Sequence, residues 1–130
     1  MRFIAPLLLL LLSLSSCEDP ETLPLVKFGK IVSTFPRLED RTETSAVCGG
    51  YIYSLDSGVV VTTRGVCWGT ELNPTRLENK IEIEGGGKGE FLIQITGLKS
   101  GTSYHYRAYM ISSKGLQYAD DTVFYTYQPL

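Results

Sequence analysis

Cysteine and histidine are the residue types with the most chemical potential in this chain of 130 residues, which has three cysteines and one histidine. A thiol–histidine enzyme requires His105 within hydrogen-bond reach of a cysteine. His105 alternates with Tyr104 and Tyr106, which we expect to face inward, so His105 faces solvent while Cys48 faces the core. The sequence therefore predicts no such catalytic pair. A zinc site also lacks a closely spaced pair of ligands, and we expect no metal or other cofactor.

Two carboxylates, Glu82 and Glu84, share one face of a predicted strand at a separation of about 7 Å. That separation is close to the one found in glycosidases. A catalytic pair also needs a cleft and one carboxyl group with a raised pKa, which short loops between strands do not provide. We expect a solvated strand edge whose charges discourage strand addition, and we expect no enzyme.

Residues 1–16 have the pattern of an export signal peptide. Arg2 provides a positive start, and an apolar stretch covers residues 3–14. That stretch is shorter than the roughly 20 residues that a membrane-spanning helix needs. The ending Leu14-Ser15-Ser16-Cys17 resembles a bacterial lipobox, which implies cleavage before Cys17 and attachment of a membrane-anchoring diacylglycerol to its sulfur. The alternative is an ordinary signal peptide followed by a chance cysteine.

Residues 17–24 comprise Cys17 and the short acidic tether that follows it. The tether contains Glu18, Asp19 and Glu21. An acidic cluster at this position resembles a surface-display signal of one large group of Gram-negative bacteria, and a solvated linker is the alternative. The tether reaches at most about 25 Å, so the domain lies close to the membrane. The expected location is the outer membrane, either exposed at the surface or facing the periplasm.

Composition limits the classes of partner. Removing residues 1–16 takes away one basic residue, Arg2, which leaves 11 basic against 14 acidic side chains and a net charge near −3. The basic residues are not clustered, so we expect no nucleic-acid partner. The 114 residues that remain, 130 less 16, are enough for one domain.

The rest of the chain, residues 25–130, consists of short segments of alternating polarity separated by turn residues. Seven segments read as strands: Val26–Phe35, Ser45–Tyr53, Val60–Trp68, Lys80–Glu84, Glu90–Ile95, Ser103–Ser112 and Gln117–Tyr125. No segment has a sustained helical period. The pattern therefore predicts an all-β fold, a two-sheet sandwich with no substantial helix.

Part of this region resembles the fibronectin type III module, an Ig-like β-sandwich. The run 98–104 and the Tyr-Arg-Ala at 106–108 resemble the corner and following strand of those modules, and residues 61–68 and 73–75 resemble a divergent branch common in bacterial envelope lipoproteins. The resemblance implies that Tyr104 is the corner tyrosine, whose hydroxyl bonds the chain just upstream. The tryptophan of the better-known modules is absent from the second strand; Trp68 lies on the third.

With Cys17 carrying lipid, Cys48 and Cys67 remain as a pair outside the cytosol, where disulfides persist. Cys48 lies on the core face of its strand, and the pattern does not fix the face of Cys67. If Cys67 also points inward, a disulfide across the sandwich closes a loop of about 20 residues and contributes about 3 kcal/mol. Two buried thiols, or one functional thiol, are the alternatives.

One sheet face is the candidate recognition surface. Outward-facing positions on the last two predicted strands combine aromatic and basic side chains: His105, Arg107, Tyr109, Val123 and Tyr125. Tyrosine and arginine carry much of the energy of interfaces, and tyrosine stacks on sugar rings. Cross-strand pairing that only stabilises the sheet is the alternative. We expect a binding or adhesion module for an envelope protein or glycan; the alternative is a passive accessory subunit that docks by an edge strand.

Overall fold

The computed structural model describes residues 23–130. The predicted signal peptide, Cys17 and the tether up to residue 22 lie outside the described residues. The described part contains eight strands and one short 3-10 turn. The strands are β1 Gly29–Thr34, β2 Ala46–Leu55, β3 Val61–Gly69, β4 Asn79–Glu84, β5 Gly89–Ile95, β6 Ser103–Ser112, β7 Gly115–Tyr118 and β8 Thr122–Tyr125, and the turn is Leu38–Asp40. Between residues 23 and 130 no helix is long and apolar enough to cross a membrane.

The strands form two antiparallel sheets that enclose one main core. The smaller sheet has the order β1-β2-β5. The larger sheet has the order β4-β3-β6-β7, and β8 pairs with the other end of β6. The predicted all-β sandwich is therefore confirmed, with eight strands instead of seven.

The predicted last strand, Gln117–Tyr125, is divided into two. β7 pairs with residues 109–112 of β6, whereas β8 pairs with residues 103–106. Between them the N–H of Ala108 lacks a ladder partner and donates to the hydroxyl of Ser33 at 3.0 Å, and that hydroxyl donates to the main-chain oxygen of Asp120 at 3.1 Å. A side chain from the opposite sheet thus replaces the missing strand contact, which the alternation of residue types does not reveal.

The predicted first strand, Val26–Phe35, is also shorter than expected. β1 begins at Gly29, and residues 24–26 run parallel to β7 with main-chain hydrogen bonds of 2.9 and 3.0 Å to Leu116. The chain then crosses to the smaller sheet. The start of the domain is therefore attached to both sheets.

The main core follows the two-residue period of the strands. It includes alternate residues of β2, β5, β6 and β8: Ala46, Cys48, Ile52, Phe91, Ile93, Ile95, Tyr104, Tyr106, Ala108 and Phe124. Three of the rings pack together, with the centroid of Phe124 5.7 Å from that of Tyr104 and 5.6 Å from that of Tyr106. The N–H of Lys99 donates to the Tyr104 hydroxyl at 2.9 Å, which is the contact expected of a corner tyrosine.

Candidate functional site

The candidate recognition surface on the larger sheet is less exposed to solvent than the sequence predicted. Tyr125 is 62% exposed, whereas His105, Arg107 and Val123 are only half-buried. Tyr109 points away from the main core as predicted, but the prediction that it is exposed is wrong, because its side chain is fully buried.

A segment of chain covers this part of the sheet. Residues 70–78, which we call the strap, connect β3 to β4 and cross the outer face of the larger sheet. The guanidinium of Arg107 donates to the carbonyl oxygen of Pro74 from Nε at 2.9 Å and from Nη2 at 2.7 Å. The N–H of Arg76 donates to the hydroxyl of Tyr118 at 2.8 Å. Arg107, one of the predicted binding residues, therefore holds another part of the same chain.

His105 contributes to the same attachment. Its Nδ1 lies 2.7 Å from Oδ1 of Asp121, and the other carboxylate oxygen of Asp121 accepts the N–H of Asn73 at 2.6 Å. Asn73 has a φ of 56°, a left-handed conformation that asparagine tolerates better than most residues. The one histidine of the sequence thus helps to position the strap.

Beneath the strap, Tyr109 reaches across a neighbouring strand to a carboxylate. Gly65 lies opposite Tyr109 on one side and opposite Glu82 on the other. A Cβ on Gly65 would lie 2.9 Å from the Tyr109 hydroxyl, so only glycine leaves room for the ring. The hydroxyl donates to Oε2 of Glu82 at 2.7 Å. The glycine in the strand was the sequence signal for this close approach.

Glu82 is therefore not the solvated edge residue that the sequence predicted. Its Oε2 also accepts Nη2 of Arg76 at 3.0 Å, and its side chain is 25% exposed. Burial by itself raises the pKa of Glu82, but the hydrogen bonds from Tyr109 and Arg76 and the charge of Arg76 outweigh burial and lower the pKa below its ordinary value. The carboxylate is held ionised as part of the strap's attachment.

The two cysteines do not form the expected disulfide. Both are free and buried. Cys48 lies in the main core, whereas Cys67 lies in a second cluster with Tyr109 and Leu116 on the opposite face of the larger sheet. The sheet itself separates the two sulfurs, because Cys67 points away from the core. The alternative of two buried thiols is the one found.

Cys67 and His105 lie on the same face, which the sequence did not resolve, but they do not form a nucleophilic pair. The thiol donates to the carbonyl oxygen of Pro74 at 3.4 Å and contacts that of Arg107 at 3.7 Å. Burial raises the pKa of the Cys67 thiol to about 12. At neutral pH the sulfur is therefore protonated, which removes the nucleophile.

The other sheet carries an exposed surface that sequence analysis missed. Lys30, Tyr51, Tyr53 and Leu92 lie on the outer face of the smaller sheet, and we call this set the aromatic face. Tyr51 is 37% exposed, Tyr53 53% and Leu92 55%. The two tyrosine rings pack together with centroids 4.5 Å apart and an interplanar angle of 38°, and the Lys30 ammonium lies 5.2 Å from the centroid of Tyr53.

Strand alternation could have found the aromatic face. On β2, Tyr51 and Tyr53 lie on either side of the core residue Ile52, and both point to solvent. Charged residues border the tyrosines, with Lys30 on β1 and Glu90 opposite Tyr51 on β5. The face thus combines stacking rings with hydrogen-bonding groups.

A groove lies between the two sheets at the start of the domain. It has a volume of about 620 Å³, and its walls are residues 25–27, 29–31 and 116–120 together with Arg107. The side chain of Gln117 spans it to the main chain of Gly29, with hydrogen bonds of 3.1 and 2.8 Å. The groove is therefore closed in part by the side chain of Gln117.

Comparison with known proteins was made by family, by sequence and by structure. No family model matches the chain, and no curated protein matches it. Among solved structures, the chain is similar to the sensor domain of the anti-sigma factor RsgI4 of Pseudobacteroides cellulosolvens, with 20% identity, a TM-score of 0.55, and coverage of 80% of this chain and 99% of that chain. It is also similar to the sixth fibronectin type III domain of human fibronectin type III domain containing protein 3, with 19% identity, a TM-score of 0.51, and coverage of 87% and 93%.

These similarities support a fibronectin type III-like fold. At 19–20% identity, the functions of individual residues in those proteins cannot be transferred to this chain. The expected Ig-like class of sandwich is confirmed, and the candidate site must be judged on its own chemistry.

Proposed function

We propose that this protein is a lipid-anchored, non-catalytic binding module of a bacterial envelope that recognises an envelope protein or a glycan through the aromatic face. The observation that carries the proposal is the exposure of Tyr51, Tyr53 and Leu92 side by side on a rigid sheet. The solved structures with a similar fold include a sensor domain, which is consistent with a recognition role.

Physical chemistry favours recognition at these tyrosines. An exposed aromatic pair leaves apolar ring surface in water, and covering that surface with a partner is favourable. Tyrosine combines a rigid ring with a hydroxyl, so it contributes strongly to protein interfaces and also stacks on sugar rings. Lys30 and Glu90 at the border add groups that can bond sugar hydroxyls or polar side chains.

The non-catalytic part of the proposal follows from the roles of the reactive side chains. Cys67, His105 and Glu82 are engaged in holding the strap. Each makes at least one hydrogen bond with another group of the protein. These three side chains therefore serve the attachment of the strap, which supports a non-catalytic module.

The anchoring part of the proposal rests on the sequence before the described domain. Cleavage before Cys17 and lipidation of its sulfur place the domain at the membrane, and the cell envelope of a Gram-negative organism is the proposed location. The acidic residues Glu18, Asp19 and Glu21 favour display on the outer surface over a periplasmic orientation.

The test replaces both tyrosines with alanine and measures retention of the protein on immobilised envelope polysaccharide and on immobilised envelope protein extract. The double change at Tyr51 and Tyr53 is expected to weaken binding about ten-fold or more on one of the two supports, because each ring is an anchor. Tyr125→Ala is the matched control, since it removes an exposed tyrosine ring from the other sheet. If Tyr125→Ala abolishes binding and the double variant retains it, the aromatic face is not the recognition surface.

A further inference from the structure

The exposed strand edges of the sandwich differ in how well they are protected against pairing with another strand. An unprotected edge offers a row of N–H and C=O groups to any extended partner. The edge of β1 is bonded by the side chain of Gln117, and that of β7 is bonded by residues 24–26. At the edge of β8, Nη1 of Arg41 donates to the carbonyl oxygen of Tyr125 at 3.0 Å.

The edge of β4 is protected by charge. Of its six residues, Lys80 is partly exposed and Glu84 is exposed. Charged side chains along a short strand make the approach of another strand unfavourable, because their hydration would be lost.

The edge of β5 is less protected: Glu90 is the one charged residue among its seven, and no side chain or chain segment in residues 23–130 bonds its open edge. Its seven residues pair with β2 without any register shift, so the strand is regular. Among residues 23–130, the main-chain groups of β5 are bonded only within that ladder. It contains no proline and no inward-pointing charge, and Leu92 at its centre is 55% exposed.

The sequence of β5 is complementary to itself when read in the antiparallel direction. With Leu92 opposite Leu92 of a second copy, Glu90 lies opposite Gln94 and Phe91 lies opposite Ile93. Apolar positions then meet apolar positions on both faces, and no two like charges are opposed. This self-complementarity is what a two-fold symmetric contact requires.

We propose that β5 pairs with β5 of a second copy of this chain, antiparallel and centred on Leu92, and so joins the two smaller sheets into one six-stranded sheet. The two-fold axis is perpendicular to the sheet, so the aromatic faces of both copies point the same way. Two adjacent faces on one surface increase avidity for a repetitive ligand without any new contact to it. This pairing goes beyond the proposed recognition function and does not depend on it.

The first test measures the association of the full chain in detergent by sedimentation equilibrium. Leu92→Lys places two ammonium groups opposite each other and removes the central apolar contact. Gln94→Lys adds the same charge to the same strand but places it opposite Glu90 of the second copy. Leu92→Lys is expected to raise the dimer dissociation constant about ten-fold or more, whereas Gln94→Lys leaves it unchanged or lowers it.

The same measurement can overturn the proposal. A wild-type chain that remains monomeric, or two lysine variants that weaken association equally, would be inconsistent with pairing centred on Leu92. Because both side chains are exposed, neither change alters the core, and circular dichroism verifies that the fold is retained.

The second test fixes the register by cross-linking in intact membranes. Leu92→Cys is expected to give a disulfide-linked dimer on oxidation, because the two sulfurs lie opposite each other. Glu90→Cys is the matched control and should not cross-link with itself, since the two copies of residue 90 are several residues apart along the strands. The native Cys48 and Cys67 are buried and do not compete. Equal cross-linking of both variants would exclude the proposed register.

Discussion

Two tyrosines on β6 illustrate how neighbouring residues of one type take different roles. Tyr104 and Tyr109 are five positions apart and therefore face opposite sides of the strand. The Tyr104 hydroxyl accepts a main-chain N–H at the corner, whereas the Tyr109 hydroxyl donates to a carboxylate beneath the strap. Both rings are structural, although the sequence predicted that only the first would be.

Tyr104→Phe tests the corner contact. The change removes only the hydroxyl that accepts the N–H of Lys99, so we expect the free energy of unfolding to fall by about 1 kcal/mol. Urea denaturation measures this loss. Binding to polysaccharide or protein supports should be unchanged, because the Tyr104 ring lies in the main core and not on either outer face. A variant as stable as wild type would show that the corner hydrogen bond contributes nothing.

Glu82→Gln tests the buried carboxylate through its pH dependence. The folded-state pKa of Glu82 is lowered, so its ionised form contributes stability above the ordinary value of 4.5 and this contribution is lost as the pH falls through the folded-state pKa. Wild type should therefore exceed Glu82→Gln in stability at neutral pH, and the difference should shrink toward about pH 3. Urea denaturation at both pH values measures it.

Glu84→Gln provides the control for that experiment. Glu84 lies on the same strand and is exposed, so its replacement should leave stability nearly unchanged at both pH values. A pH-independent difference between wild type and Glu82→Gln would mean that the charge of Glu82 does not stabilise the fold.

At the scale of elements, the strap is held to the larger sheet by side chains that are distant from it in sequence. Arg107 donates twice to Pro74, and its guanidinium stacks at 3.9 Å on the ring of Tyr118. These contacts join a loop to two strands. They explain why the outer face of the larger sheet is closed while that of the smaller sheet is open.

Arg107→Ala tests the strap. Loss of the two hydrogen bonds leaves the buried carbonyl oxygen of Pro74 without the guanidinium, at a cost of about 1–3 kcal/mol. Hydrogen exchange of the amides in residues 70–78 should become faster, while exchange in β2 and β5 should change little. Arg37→Ala, which removes an exposed guanidinium, is the control. Unchanged exchange in residues 70–78 would contradict the role of Arg107.

At the scale of the whole molecule, the proposed lipid anchor at Cys17 can be tested directly. Cys17→Ser is expected to abolish labelling by radioactive fatty acid and to move the protein from the membrane fraction to the soluble fraction, because one thioether-linked diacylglycerol is the proposed attachment. Fractionation and labelling of cells measure both effects. Continued membrane association of the variant would refute the lipoprotein interpretation.

Much of the architecture follows from local pattern. The two-residue alternation predicted the inward direction of Cys48 on β2 and of Tyr104 and Tyr106 on β6, and the run before Tyr104 predicted the corner. The division of the last strand into β7 and β8 could not be predicted, because it depends on Ser33 from the other sheet filling the gap at Ala108. The alternation of residues along one strand indicates which way each side chain points. It carries no information about a hydroxyl that comes from a distant part of the chain.

The sequence by itself therefore determined the fold class and the direction of most side chains, because strand pleating makes neighbouring residues point to opposite faces. Only the tertiary structure decided what covers each face. The strap closes the surface around Arg107 through a contact with Pro74, 33 residues away in sequence, and the sheet separates Cys48 from Cys67. Burial depends on which distant segments pack together, and this is why the exposed tyrosines are Tyr51 and Tyr53 whereas Tyr109 is buried.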